Sequence, residues 1–281
     1  MSLQKEVQIE NICKEYALKE CGISINCLID GFSIALYEEK NKEFFFAESK
    51  SVPEKDFKNT IANWNKYISA NKTLKFKTVK IIFDTPYFSL IPSELYEEGN
   101  KKELLSFLVD LPKNYKLITE KVESVNAVAV FAVPQIAYDE FTKQYPQVTF
   151  SHSIITFLKA TKNLYKKILK GKTLFIDVNT ECFNVLCYND EKLQLANVYS
   201  FENENDITYQ LVNMMKQFDM DTMRDQVFIS GGIEKQAAVY QKLAKYIKNI
   251  SLVNRPDIFK YSSFFNEIPQ QQHFVLFSTA L

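Results

Sequence analysis

The chain has 281 residues, 46% hydrophobic and 24% charged, with only 6 Gly and 8 Pro; this length suggests two domains of roughly 140 residues, each burying its own core with little room for disordered linkers. Lysine plus arginine equals aspartate plus glutamate at 34 each, so no bulk field draws the chain to nucleic acid or an anionic membrane. The five cysteines, Cys13, Cys21, Cys27, Cys182 and Cys187, make no C-x-x-C pair and read as packed free thiols of a reducing cytoplasm.

The N-terminus MSLQKEVQIENICKEY carries charges where a secretory signal has its apolar core, so no export signal is expected. Three strand-like runs follow: ISINCLI (23–29), FSIALYEE (32–39) and EFFFAES (43–49), joined by Asp30-Gly31 and Lys40-Asn41-Lys42, which is hairpin chemistry. Phe57, Ile61, Trp64 and Ile68 recur at helical spacing behind Asp56, and VKIIFD (79–84) reads as the next strand. Residues 85–150 elaborate this half with TPYFSLIPSELYEE, a helix around KKELLSFLVD, strands near 115–120 and 126–133, a helix after Pro134 and a strand QVTFS (147–151). The longest apolar stretch, AVAVFAVP (127–134), is far short of the roughly 20 residues that span a bilayer.

A helix from Ser153, with Ile154, Leu158, Tyr165 and Ile168 in phase, leads into the second half. There TLFIDV (173–178), CFNVLCY (182–188) and LQLANVYSF (193–201) precede a helix carrying Ile207, Leu211, Met214 and Phe218, a strand QVFIS (226–230) and a helix carrying Ile233, Ala237, Tyr240 and Ile247. This order repeats the first half at an offset of roughly 150 residues, with Phe32 matching Phe183 and Asp56 matching Asp206, which argues for internal duplication of one unit. Strands apolar on both faces need helices on both sides of a mixed sheet. The expected domains are residues 1–150 and 151–281.

A duplicated meander, helix, strand, helix and strand, with a polar turn after the first strand and a glycine pair after a later one, resembles the actin-like ATPase (ribonuclease H-like) fold. Members include actin, sugar kinases and heat-shock ATPases, and the chain is nearest in style to cytosolic relatives used in pilus and secretion assembly. The segments TPYFSLIPSELYEE and LQLANVYSFENENDITYQL look like a bacterial family of unknown function with that fold. The resemblance implies two domains, each with a mixed five-stranded sheet flanked by helices.

It also implies where nucleotide would lie. Such ATPases carry D-x-G at the first hairpin of each half, letting Mg-bound phosphates approach the backbone. Here Asp177 is present, but Asn179 stands at the glycine position and is followed by Thr180 and Glu181; in the first half Asn26 and Leu28 replace both members. FISGGIEK (228–235) resembles the adenosine motif, with Gly231-Gly232 leading to a helix start. Asp177, Asn179, Thr180, Gly231 and Gly232 are therefore the nucleotide-binding candidates, and Asn26 and Leu28 mark a degenerate first loop. ATP with magnesium is the only cofactor the resemblance offers; no catalytic residue and no metal ligand is assigned.

Only His152 and His273 exist, far apart and without zinc or nucleophile partners, so each reads as a surface or helix-cap histidine. G-x-S-x-G, G-x-x-x-x-G-K-[ST] and G-x-G-x-x-G are all absent. Tyr87-Phe88, Phe259, Tyr261 and Phe264-Phe265 fall in loop-like segments; exposed together they would mark a partner surface. The expectation is a cytoplasmic, non-catalytic protein-binding or scaffold protein with vestigial nucleotide binding, against the alternative of a magnesium-dependent ATPase or kinase.

Overall fold

A computed structural model describes residues 21–71 and 76–281; Cys13 and the N-terminal stretch read for an export signal lie outside them. In chain order the first half contains β1 (Cys21–Leu28), β2 (Gly31–Glu38), β3 (Glu43–Ser51), α1 (Phe57–Ala70), β4 (Thr78–Phe83), β5 (Phe88–Pro92), α2 (Lys101–Ser106), β6 (Tyr115–Val122), β7 (Ala127–Pro134), α3 (Gln135–Gln144) and β8 (Thr149–His152). Then come α4 (Ser153–Leu164), β9 (Lys172–Val178), β10 (Cys182–Asn189), β11 (Lys192–Ser200), α5 (Glu204–Gln217), β12 (Gln226–Gly231), α6 (Ala238–Tyr246), β13 (Ile250–Leu252), β14 (Lys260–Tyr261) and α7 (Phe274–Ser278).

The two main sheets share one strand order. The first runs β3-β2-β1-β4-β8 and the second β11-β10-β9-β12-β13, with the three meander strands antiparallel and the last two parallel to the first. β14 adds a sixth strand to the first sheet, parallel to β3, so the C-terminal segment returns to the half where the chain began. β5, β7 and β6 make a separate antiparallel sheet.

Burial explains the patterning. β9 and β10 are buried along nearly their whole length, the condition under which a strand reads as continuous apolar sequence. α4 buries residues all round its circumference, including Ile154, Ile155, Phe157 and Leu158, because it packs against α7 and strands of both main sheets. α1 turns Phe57, Ile61 and Trp64 inward; the Trp64 ring meets Phe32 edge-on at 5.2 Å and its indole N–H donates to Gln144 Oε1 at 2.9 Å.

The equivalent acids cap their helices differently. Asp56 is the N-cap of α1, whereas Asp206 lies inside α5 and completes a capping box with Asn203. Two helices differ from the expected spans. α4 stops at Leu164, and Ile168 falls in a 3-10 turn where it is 45% exposed, because Leu169 is drawn into the core and Gly171 turns the chain at φ +71°. α6 begins at Ala238, not beside the glycine pair, since Ile233 is buried in the core and its carbonyl accepts from Gln271 Nε2 at 2.8 Å.

Candidate functional site

The two hairpin turns and the glycine pair converge on a cleft of ≈ 450 Å³. The first turn, Ile29-Asp30, is pinned by three hydrogen bonds from two residues. Thr60 Oγ1 on α1 donates to the carbonyls of Leu28 at 3.1 Å and Ile29 at 3.2 Å, and Val52 N–H donates to Asp30 O at 2.6 Å. Gly31 follows at φ +144°, where a Cβ would lie 2.0 Å from the Lys50 carbonyl oxygen. This glycine is required by the approach of β3, which accounts for it without a ligand.

The second turn, Asn179 to Glu181, is closed by the Asn179 N–H donating to Cys182 O at 3.0 Å. Asn179 then folds back, its Nδ2 donating to Asp177 Oδ2 at 3.1 Å. Thr180 lines the cleft, while Glu181 lines an adjoining cavity of ≈ 300 Å³ and pairs with Lys55 of the first half at 2.9 Å. Gly231 ends β12 at φ +97°, and a Cβ there would lie 2.1 Å from the Val178 carbonyl oxygen. Gly232 has open space where its Cβ would be.

Asn26 and Asp177 hold the same ladder position in their sheets: Asn26 pairs with Ser33 and Ile82, Asp177 with Asn184 and Ser230. Asn184 and Ser230 join Asp177 in a buried polar network under the cleft, together with Asp84, Ser153 and Asn26. Ser230 Oγ donates to Asp177 Oδ1 at 2.7 Å. Asn184 Nδ2 is shared among Ser153 Oγ at 3.0 Å, Asp84 Oδ1 at 3.3 Å and Asp177 Oδ2 at 3.4 Å. Asn26 Nδ2 donates to Asp84 Oδ2 at 2.9 Å, while Asn26 Oδ1 is buried without a partner.

Two carboxylates, one from each half, are thus buried around one amide. Burial pushes Asp177 up to about 6, with the charge of Asp84 acting in the same direction, against the hydrogen bonds from Ser230, Asn179 and Asn184. Asp84 is also raised, mainly by burial, opposed by bonds from Ser153, Asn26 and Asn184. Like charges sharing a dry site favour keeping a proton. Asp84, Asn184, Ser153 and Ser230 were not singled out from the sequence. The available signals were Asn184 as the one amide inside the apolar run CFNVLCY and Asp84 as the acid closing VKIIFD.

The cleft lining tests whether a nucleotide's phosphates fit. Its charged side chains are Asp30, Asp177, Glu204 and Lys50, and Lys50 is already paired with Glu48 at 2.5 Å. Leu28 lines the position of the first-loop glycine. A negative floor with side chains in place of both glycines does not fit a triphosphate. The open space at Gly232 and the apolar wall of Ile233, Phe274 and Val275 leave room for an uncharged ring.

Neither histidine has the geometry of a cleft base. His152 is buried and caps α4: its Nδ1 accepts from the Ile154 N–H at 3.3 Å and its Nε2 lies 2.9 Å from Thr85 O, and burial lowers it to about 4. His273 lines the cleft, but burial, and secondarily the Arg255 charge, lower it to about 4. The loop aromatics are packed: Phe88, Phe259 and Phe265 are buried and Tyr261 stacks on Phe44. Arg255 gathers Tyr261 and Phe265, with Phe277 of α7, around its guanidinium within 6 Å. Among the described residues no group of three or more His, Cys, Asp or Glu is placed to hold a metal ion, and no helix is long and apolar enough to cross a membrane.

Two sheets of identical strand order facing one another across α4 and α7, with hairpin turns and a glycine pair opening on the cleft between them, define the actin-like ATPase fold. A Bacteroides thetaiotaomicron protein of that fold and unknown function superposes with a TM-score of 0.72 at 21% identity, covering 84% of this chain and 92% of its own. The PilM–PilN type IV pilus biogenesis complex superposes with a TM-score of 0.67 at 11% identity, covering 92% and 97%. Within that fold the chain belongs to the family described as Protein of unknown function (DUF3822), matched over residues 13–250. No curated protein matches it by sequence.

Proposed function

We propose that this chain is a cytoplasmic, non-catalytic binding protein that has kept the actin-like frame, lost phosphate handling and acts by docking a protein partner. The observation that carries this reading is the use of Asp177 within the fold: both of its oxygens are engaged by Ser230, Asn179 and Asn184. Among the described residues lining the cleft, the cation Lys50 is paired with Glu48. The structural neighbour seen in a complex, PilM with PilN, is consistent with a fold used for protein partners. The direct test is phosphate release by the purified chain with ATP and magnesium, expected to be no faster than without protein. Alongside it, the thermal midpoint should rise little with millimolar ATP or ADP, whereas a ligand at a hundred times its dissociation constant stabilises by about 2.7 kcal/mol.

A second reading, a magnesium-dependent ATPase or kinase, is favoured by one observation. Among the described residues Asn26 Oδ1 is buried without a donor, on the amide whose Nδ2 donates to Asp84, and a water on a divalent cation would supply one. Steady magnesium-dependent turnover that disappears in Asp177→Ala would establish it and end the first reading.

A further inference from the structure

α5 has two unlike faces. Ile207, Leu211, Met214 and Met215 are buried against the second sheet. The opposite face, with Tyr209, Val212 and Lys216 at helical spacing, forms one wall of a surface groove of ≈ 530 Å³ whose other wall is Lys242, Lys245 and Tyr246 of α6. The groove shares no lining residue with the interdomain cleft.

Its chemistry is one-sided. Three lysines line it and no carboxylate does. Among the described residues none of the three is in an ion pair; Lys242 Nζ meets only a neutral acceptor, Asn205 Oδ1, at 2.5 Å. Lys216 and Lys245 lie in last helical turns, where a cation complements the helix dipole. That role does not account for Lys242, nor for Tyr209 and Tyr246 standing 70% and 58% exposed between the cations. In a chain of zero net charge the groove is a local positive field with an exposed tyrosine on each wall.

We infer that this groove docks an acidic peptide segment of a partner protein, presenting an apolar side chain to Val212 and the tyrosines between carboxylates that meet Lys216, Lys242 and Lys245. The inference rests on the reading that the chain acts by binding, and it adds where and to what chemistry. A peptide is favoured over nucleic acid because three cations neutralise too few phosphates to hold a polyanion at physiological salt without further positive surface. Exposed aromatics beside cations supply the contact area an acidic peptide's apolar residue needs.

The test pans a library of random displayed peptides on the immobilised full chain, with counter-selection against the triple variant Lys216→Glu, Lys242→Glu, Lys245→Glu. Recovered peptides are expected to be rich in Asp and Glu around an aromatic or aliphatic residue. Their affinity should fall about tenfold or more in the triple variant and weaken with added salt. The double variant Tyr209→Ala, Tyr246→Ala should weaken binding with an unchanged salt dependence and keep the wild-type thermal midpoint because both rings are outside the core. The triple variant, which puts carboxylates in two last helical turns, should lose a few degrees and still unfold cooperatively. Peptides without acidic bias, no recovered peptide, equal binding to the triple variant, or displacement by an oligonucleotide that binds the groove more tightly would overturn the proposal. Phosphate release on the same preparation separates the two ideas: turnover with intact peptide capture ends the non-catalytic reading and leaves the groove, while no turnover and no acidic peptide ends the groove alone.

Discussion

The β1–β2 and β9–β10 hairpins occupy the same place in sheets of the same order, yet they hold their turns by different means. In the first, Thr60 and Val52 bind the turn carbonyls from the protein side and Gly31 lets β3 come within contact of the backbone. In the second, the turn closes on itself through the Asn179 N–H to Cys182 O bond, and its polar side chains turn inward: Asn179 reaches back to Asp177, and the carboxylate is held by the residues paired beside it. A duplicated frame therefore constrains ladder position, while the interactions at each ladder end decide whether polar atoms face the cleft or are used up in the fold.

That contrast can be broken most forcefully at the glycines that serve the backbone. Gly31→Val and Gly231→Val each place a Cβ about 2 Å from a carbonyl oxygen, against Lys50 and Val178, at a backbone angle side chains avoid. Each should cost about 4 kcal/mol or more in urea unfolding, or prevent folding.

Next in size is Asn26→Asp, which would carry the acid of Asp177's ladder position into the first half. It removes the donor to Asp84 and adds a third buried carboxylate. A loss of about 3 kcal/mol is expected, since an uncompensated buried charge costs on that scale; unchanged stability would show the floor to be wetter than its burial implies.

A comparable effect should appear as pH dependence. Asp177 titrates higher in the folded chain, at about 6, than its ordinary 3.8, so the native state binds the extra proton and this contribution to stability is full below 3.8 and lost as pH rises through about 6. The span corresponds to about 3 kcal/mol. Unfolding free energy should therefore decline from about pH 4 to about pH 6.5 relative to Asp177→Asn, in which that slope disappears. The smallest effect belongs to Gly232→Ala: nothing lies within 4 Å of the added carbon. Stability should change by less than about 0.5 kcal/mol, so any altered response to a nucleoside would report the cleft and not the fold.

The frame was legible because alternation, turn residues and the offset between halves are local signals. Phe57, Ile61 and Trp64 announce α1, and the apolar runs around Asn26 and Asp177 announce paired strands. The floor of the cleft was not, since it is assembled by cross-strand pairing: Asn184 and Ser230 meet Asp177 through the register of β9 with β10 and β12, and Asp84 joins them from the other sheet. The late start of α6 was hidden for a related reason. Ile233 fits a helical stripe as well as it fits a buried anchor ahead of the helix, and only the bond from Gln271, 38 positions away, distinguishes them.

The return of β14 to β3 has a consequence for how the molecule is made. The first sheet's outer edge waits for Lys260 and Tyr261, and α7, which packs against β1, β2 and β12, is made later still. On the ribosome the first half emerges complete in sequence but unfinished in its core. Folding of that half is thus coupled to the synthesis of β14 and α7, and a chain interrupted after β13 would present the bare edge of β3 and an empty place beside α4, the surfaces through which partly made proteins associate wrongly.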